Sequence, residues 1–71
     1  MNNKLIVTGY PERTDANELL ELFWPYGQVW KVDVRPAYVL IEMEDELAAD
    51  RAMMHVKTCD GKRLKIRKAN W

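Results

Sequence analysis

Few residues of this chain could do covalent chemistry. It has one cysteine, Cys59, and one histidine, His55. Neither has a partner in a spacing that would make a nucleophile–base pair, so no catalytic constellation is present and no enzyme activity is expected. Nothing in the chain calls for a cofactor or a metal. What the chain does contain is cations alternating with apolar and aromatic residues. Lys31-Val-Asp33-Val-Arg35, Tyr38-Val-Leu40-Ile-Glu42 and Arg63-Leu-Lys65-Ile-Arg67 all follow this two-residue period, as does Lys4-Leu-Ile6-Val-Thr8. On a strand, such a period sends every second side chain to the same face. One face then carries Lys4, Lys31, Arg35, Arg63, Lys65 and Arg67 around an Ile6–Tyr38–Leu40 centre, against only Asp33 and Glu42. Basic groups around an apolar platform suit reversible recognition of a single-stranded polyanion, with phosphates outside and flat bases inside.

Composition sets the limits on this reading. Seventy-one residues make one domain, and a chain of this size buries only about 60% of the surface it exposes when unfolded. The formal net charge is zero, with 11 basic and 11 acidic residues, which argues against a strongly basic nucleic-acid binder. The charges are segregated, however. From Lys57 onward the bases are Lys57, Lys62, Arg63, Lys65, Arg67 and Lys68, against Asp60 alone, whereas Glu12, Asp15, Glu18 and Glu21 cluster near the start. A neutral total can therefore hide a basic face opposite an acidic one. A single cysteine excludes an internal disulfide and points to a reducing, intracellular setting. Met1 to Lys4 is too short and polar to act as a signal peptide, and no apolar run approaches the roughly 18 residues of a membrane helix.

The elements that must position these residues can be read in order. Leu5 to Thr8 is a β-branched run ended by Gly9 and Pro11, hence a strand. Asp15 followed by Glu18 is a capping-box pattern that opens a helix. Ala16, Leu19, Leu22, Phe23 and Tyr26 follow helical spacing until Pro25 and Gly27 close it. Val29 to Arg35 reads as a second strand, with Val32 and Val34 facing inward. Pro36 and Ala37 make a tight connection to the strand Tyr38–Met43, whose inward positions are Val39, Ile41 and Met43. Asp45 caps a second helix running to about His55, with Ala49, Ala52, Met53 and Val56 at core spacing. Asp60-Gly61 is a turn signal before a last strand reaching Arg67. The order is βαββαβ, an α+β ferredoxin-like layout. Two helices cover one face of a four-stranded antiparallel sheet, and the other face is left open.

Four segments carry a family resemblance. Leu5-Ile6-Val7-Thr8-Gly9-Tyr10 resembles the hexapeptide strand of the RNA recognition motif (RRM), and Pro36 to Met43 its octapeptide. Phe23-Trp24-Pro25-Tyr26-Gly27-Gln28-Val29 resembles the end of its first helix, and Cys59 to Ile66 the approach to its last strand. The resemblance covers nearly the whole chain: residues 4–69 as the domain, with 1–3 and 70–71 as tails. Leu19 to Leu22, Pro25-Tyr26-Gly27 and Ile41 to Glu44 are similar to the matrin and polypyrimidine-tract-binding branch. It implies a nuclear or cytoplasmic, with nuclear favoured, non-catalytic domain that works as a monomer in RNA processing and binds single-stranded, pyrimidine-leaning RNA. The resemblance also implies a reduced surface. Two positions that are aromatic in the family and stack bases are Ile6 and Leu40 here, and the usual basic first octapeptide position is Pro36. Tyr38 is kept, and in the family that ring packs on sugars. The expected RNA-binding residues are Lys4, Ile6, Lys31, Tyr38, Leu40, Lys65 and Arg67, with Trp71 crossing the sheet from the tail.

A competing site lies on the helical side. Leu20 and Trp24 are four residues apart, beside the Leu19–Phe23 core stripe, and should meet on the outer surface. Trp30, expected on the helical side of the second strand, would adjoin them. Exposed tryptophans anchor protein interfaces, so a protein-binding domain using Leu20, Trp24 and Trp30 is the alternative. Trp24 and Trp30 would otherwise enlarge a small core. Acylphosphatases share the layout, but Arg13 lacks their glycine-bounded anion cradle. His55 reads as a favourable charge at a helix C-terminus, Cys59 as a buried small hydrophobe, and Met54 as partly exposed.

Overall fold

The computed structural model describes residues 2–69. The chain forms β1 (Lys4–Thr8), α1 (Ala16–Phe23), a 3-10 turn (Trp24–Tyr26), β2 (Val29–Val34), β3 (Val39–Met43), α2 (Glu46–His55), β4 (Thr58–Cys59), β5 (Lys62–Arg63) and β6 (Lys65–Lys68). Four strands make an antiparallel sheet in the order β2-β3-β1-β6, and β4 and β5 pair as a separate hairpin. Both helices pack on one face of the sheet, α1 above β2 and α2 above β1, β3 and β6. This is the expected βαββαβ architecture with a small hairpin added.

Each helix starts where a side chain satisfies its free amides. The Asp15 carboxylate accepts from the Asn17 amide at 3.0 Å, and the Asp45 carboxylate accepts from the Ala48 amide at 2.8 Å. Leu19 and Phe23 of α1 are buried, and Ala48, Ala49 and Ala52 line the buried side of α2. Alanines there let α2 sit close against Leu5 and Val7 of β1 and Val39, Ile41 and Met43 of β3, all in the same core. Beyond Phe23 the chain tightens into the 3-10 turn at Pro25, because proline cannot donate the next helical bond. Tyr26 then stacks on His55, ring centroids 5.3 Å apart, so the end of α2 is held by an aromatic contact as well as by its dipole.

Two turns need their glycines. Gly27 has φ 150°, and a Cβ there would lie 2.5 Å from the Ala48 Cβ, so the turn before β2 touches α2 only because it lacks a side chain. Asp60 (φ 50°) and Gly61 (φ 79°) form the two-residue loop of the β4–β5 hairpin, the double positive-φ geometry that suits a right-twisted ribbon.

The sheet departs from simple alternation at three places. First, the pairing of β2 with β3 shifts between Val29 and Lys31, so that Val29 lies opposite Met43 and Lys31 opposite Glu42. The extra residue is Trp30, and Val29 takes the inward position that alternation assigns to Trp30. Second, Val34 was expected inside with Val32 but is 61% exposed, because it lies at the far end of an edge strand. Third, the stretch expected to be one last strand is two. Arg63 pairs with Thr58 in the hairpin, and the sheet strand begins at Lys65. Arg63 therefore leaves the open face.

Candidate nucleic-acid interface

The open face can be built row by row from the strand registers. Its first row runs Lys31, Glu42, Lys4 across β2, β3 and β1. The second runs Asp33, Leu40, Ile6, Arg67 across all four strands. In the third, Lys65 lies opposite Thr8. At the β2–β3 end the Arg35 amide donates to the Tyr38 carbonyl at 2.8 Å and closes the hairpin. Tyr38 alternates with the buried Val39 and so shares the face of Leu40. The expected residues Lys4, Ile6, Lys31, Tyr38, Leu40, Lys65 and Arg67 are thus gathered on one surface. Trp71 lies outside the described residues.

The apolar centre is denser than a solvent-facing sheet needs. Ile6 is only 8% exposed although it stands on the face opposite the helices. Leu40 on one side and Arg67 on the other are its register neighbours, and Leu40 and Tyr38 are half-buried. Beside this centre a hollow of about 270 Å³ opens between β1 and β6, lined by Ile6, Thr8, Lys65, Ile66 and Arg67. The Thr8 hydroxyl donates to the Lys65 carbonyl at 3.4 Å at its rim. Alternation already assigns Thr8 to this face, but nothing in the sequence sets it beside Ile66. Only the register of β1 against β6 brings them to the hollow.

Ion pairing separates the cations that are free from those already engaged. Arg35 binds Asp33 through Nε at 3.1 Å and Nη2 at 2.8 Å. Lys68, opposite Leu5 on the helical side, bonds Glu46 at 3.0 Å and also Asp50. Those hydrogen bonds raise the Lys68 pKa above its ordinary value, the Asp50 bond most and the Glu46 bond next. Among the described residues, Lys4, Lys31, Lys65 and Arg67 form no ion pair. The open face therefore keeps four unengaged cations around its apolar floor, while Lys68 on the helical side is held by the acids of α2.

On the helical side, Trp24 is 58% exposed and Leu20 is half-buried; Trp30, expected beside them, is displaced from that side by the bulge in β2 and is 61% exposed. The two tryptophans do not enlarge the core. Elsewhere, the exposed Glu18 and Asp60 and the buried Cys59 bring two carboxylates and one thiol within 4.8 Å of one another. Burial pushes the Cys59 thiol above its ordinary pKa, which favours its neutral form in this cluster.

Comparison with known proteins agrees with this architecture. Among curated proteins none matches this chain in sequence. Among solved structures, the Nab3 RRM, studied for cis element recognition of non-polyadenylated RNAs, superposes with a TM-score of 0.84 at 20% identity, covering 94% of this chain and 93% of that one. RNA binding protein PG1 superposes with a TM-score of 0.83 at 25% identity, over 93% of this chain and 92% of that one. The Sxl-lethal protein in complex with RNA superposes at 0.82 with 26% identity, over 99% of this chain and 48% of that one. The sequence model of the RNA recognition motif family matches residues 5–68. With two helices on one face of a β2-β3-β1-β6 sheet and a family match over nearly its whole length, this chain belongs to the RNA recognition motif family.

Proposed function

We propose that this domain binds single-stranded RNA on its open sheet face, with a leaning to pyrimidine-rich sequence and with modest affinity. The observation that carries the proposal is the closed Ile6–Leu40 centre ringed by Lys4, Lys31, Lys65 and Arg67, none of them held in an ion pair among the described residues. Family membership supports it, as does the likeness to the Sxl-lethal protein, which was solved with RNA. The pyrimidine leaning rests on the resemblance to the matrin and polypyrimidine-tract-binding branch. Modest affinity follows from the floor. Base–aromatic stacking is worth about 1–3 kcal/mol per base, so aliphatic side chains at positions 6 and 40 forfeit about 2–6 kcal/mol and return part of it as apolar contact. Tyr38 is the ring that remains, and it packs on sugar or base. The four cations pair with phosphates. The setting we propose is intracellular, with the nucleus favoured.

A second reading rests on the exposed Trp24, which with Leu20 would anchor a protein partner on the helical side, without the Trp30 that the bulge in β2 displaces. Residue-resolved NMR titration with a pyrimidine-rich and a purine-rich oligonucleotide separates the two. Shifts at Lys4, Ile6, Leu40, Lys65 and Arg67 that are larger for the pyrimidine strand are expected. Shifts confined to α1 and α2, or none below millimolar RNA, would remove the RNA-binding proposal.

A further inference from the structure

The open face holds two acids, and they are in different states. Asp33 is neutralised by the two bonds from Arg35. Glu42 is not. It stands between Lys31 and Lys4 in the first row, half-buried, yet among the described residues it forms no ion pair or side-chain hydrogen bond. A free carboxylate on a surface meant for a polyanion repels phosphates. The two flanking lysines offset that repulsion without occupying its oxygens, which remain able to accept about four hydrogen bonds.

Its position decides what those bonds can meet. Glu42 follows Leu40 by two residues on the same face of β3, about 6.7 Å further along at the usual rise of a strand. A base resting on Ile6 and Leu40 extends a few ångströms from its centre, so its edge comes within reach of the Glu42 side chain. In a single strand that edge is open to reading. A carboxylate accepts from amino groups such as N4 of cytosine. Uracil offers a carbonyl oxygen at the same ring position, and two acceptors repel.

We infer that Glu42 is the specificity-determining residue of this face and selects a base bearing an exocyclic amino group, cytosine over uracil among pyrimidines. The assignment rests on the RNA-binding reading above. The plain alternative is a Lys31–Glu42–Lys4 charge ladder that only supports strand pairing.

The test compares octamers of uridine, cytidine and adenosine, and a uridine octamer with one central cytidine, by fluorescence anisotropy at fixed salt. The wild-type domain is run against Glu42→Gln and Glu42→Ala, each checked for an unchanged melting temperature. The wild-type domain should prefer the cytidine-containing strands to the uridine octamer by about tenfold, the scale of one hydrogen bond to a charged group. Adenosine, which also carries an amino group, should be spared the uridine penalty. Both variants should bind the uridine octamer more tightly and bring the ratio to within about twofold. A wild-type ratio already near one, or variants that keep the wild-type ratio, would overturn the role of Glu42 while leaving RNA binding intact. Binding of the wild-type domain to none of the four strands would remove the RNA reading and this assignment together.

Discussion

Restoring a ring to the sheet tests the proposed platform most directly, and the structure predicts that the two candidate positions will behave differently. Leu40 is half-buried, with Ile6 and Asp33 as its register neighbours. Phenylalanine there can lie against Ile6 and still offer a face to a base. Stacking adds about 1–3 kcal/mol, from which the lost contact of a half-buried leucine, about 1 kcal/mol, is subtracted. The net gain is about 1 kcal/mol, a factor of about five in Kd. Ile6 is 8% exposed, so Ile6→Phe must push aside its neighbours. Overpacking costs about 1–3 kcal/mol, a sizeable share of the roughly 4–10 kcal/mol that holds a domain of this length together. Leu40→Phe should therefore tighten a pyrimidine octamer about fivefold with unchanged stability, and Ile6→Phe should lower the urea midpoint with little gain in binding. Anisotropy titration paired with urea denaturation reads both. Equal binding by Leu40→Phe and the parent, both folded, would refute the platform.

Further outcomes follow from the same geometry. Lys65→Ala should reduce the slope of log Kd against log salt by about 0.7, the share of one single-strand phosphate contact. Lys68→Ala, which removes a cation already engaged by Glu46 and Asp50, should leave that slope unchanged; equal effects would show that the ion-pair sorting does not govern binding. Gly27→Ala places a Cβ 2.5 Å from Ala48 at φ 150°, and strain plus overlap should cost about 2–4 kcal/mol in urea denaturation. A loss under about 0.5 kcal/mol would contradict the close approach. Because burial raises the pKa of Cys59, the folded state favours the neutral thiol. The resulting stabilisation is complete below the unfolded thiol's pKa and is lost as pH rises through the folded value. Native protein should therefore resist a thiol reagent at pH 8 and lose stability in mildly alkaline solution, whereas Cys59→Ala should lack that alkaline decline. Fast labelling of the native protein would count against a buried thiol.

Much of the fold could be read locally. Asp15 and Asp45 announce their helices because a short acceptor just before an apolar period is what free amides require. Val39, Ile41 and Met43 announce a strand because a two-residue period has one buried face. The exposed positions of that strand, Tyr38, Leu40 and Glu42, were visible for the same reason. Trp30 was harder. Nothing in Val29 to Val34 marks a bulge, and one extra residue reverses the side that alternation assigns. Arg63 was misplaced because the same alternating pattern serves a hairpin arm and a sheet strand equally well. The Asp60-Gly61 loop pairs Arg63 with Thr58, which takes it off the main sheet.

The sequence alone determined the family, the open face and the residue types gathered on it, because periodicity and turn chemistry act over a few neighbouring residues. Only the tertiary structure decided which of those residues are free to act. Glu42 stands unbound between two lysines while Asp33 is held by Arg35. Lys65 is free while Lys68, three residues on, is spent on α2. Ile6 is sealed into the floor while Leu40 is only half-buried. Each of these outcomes depends on which strand lies next to which, and in what register. Those pairings join residues up to 63 positions apart, as Leu5 with Lys68, a separation at which local spacing carries no information.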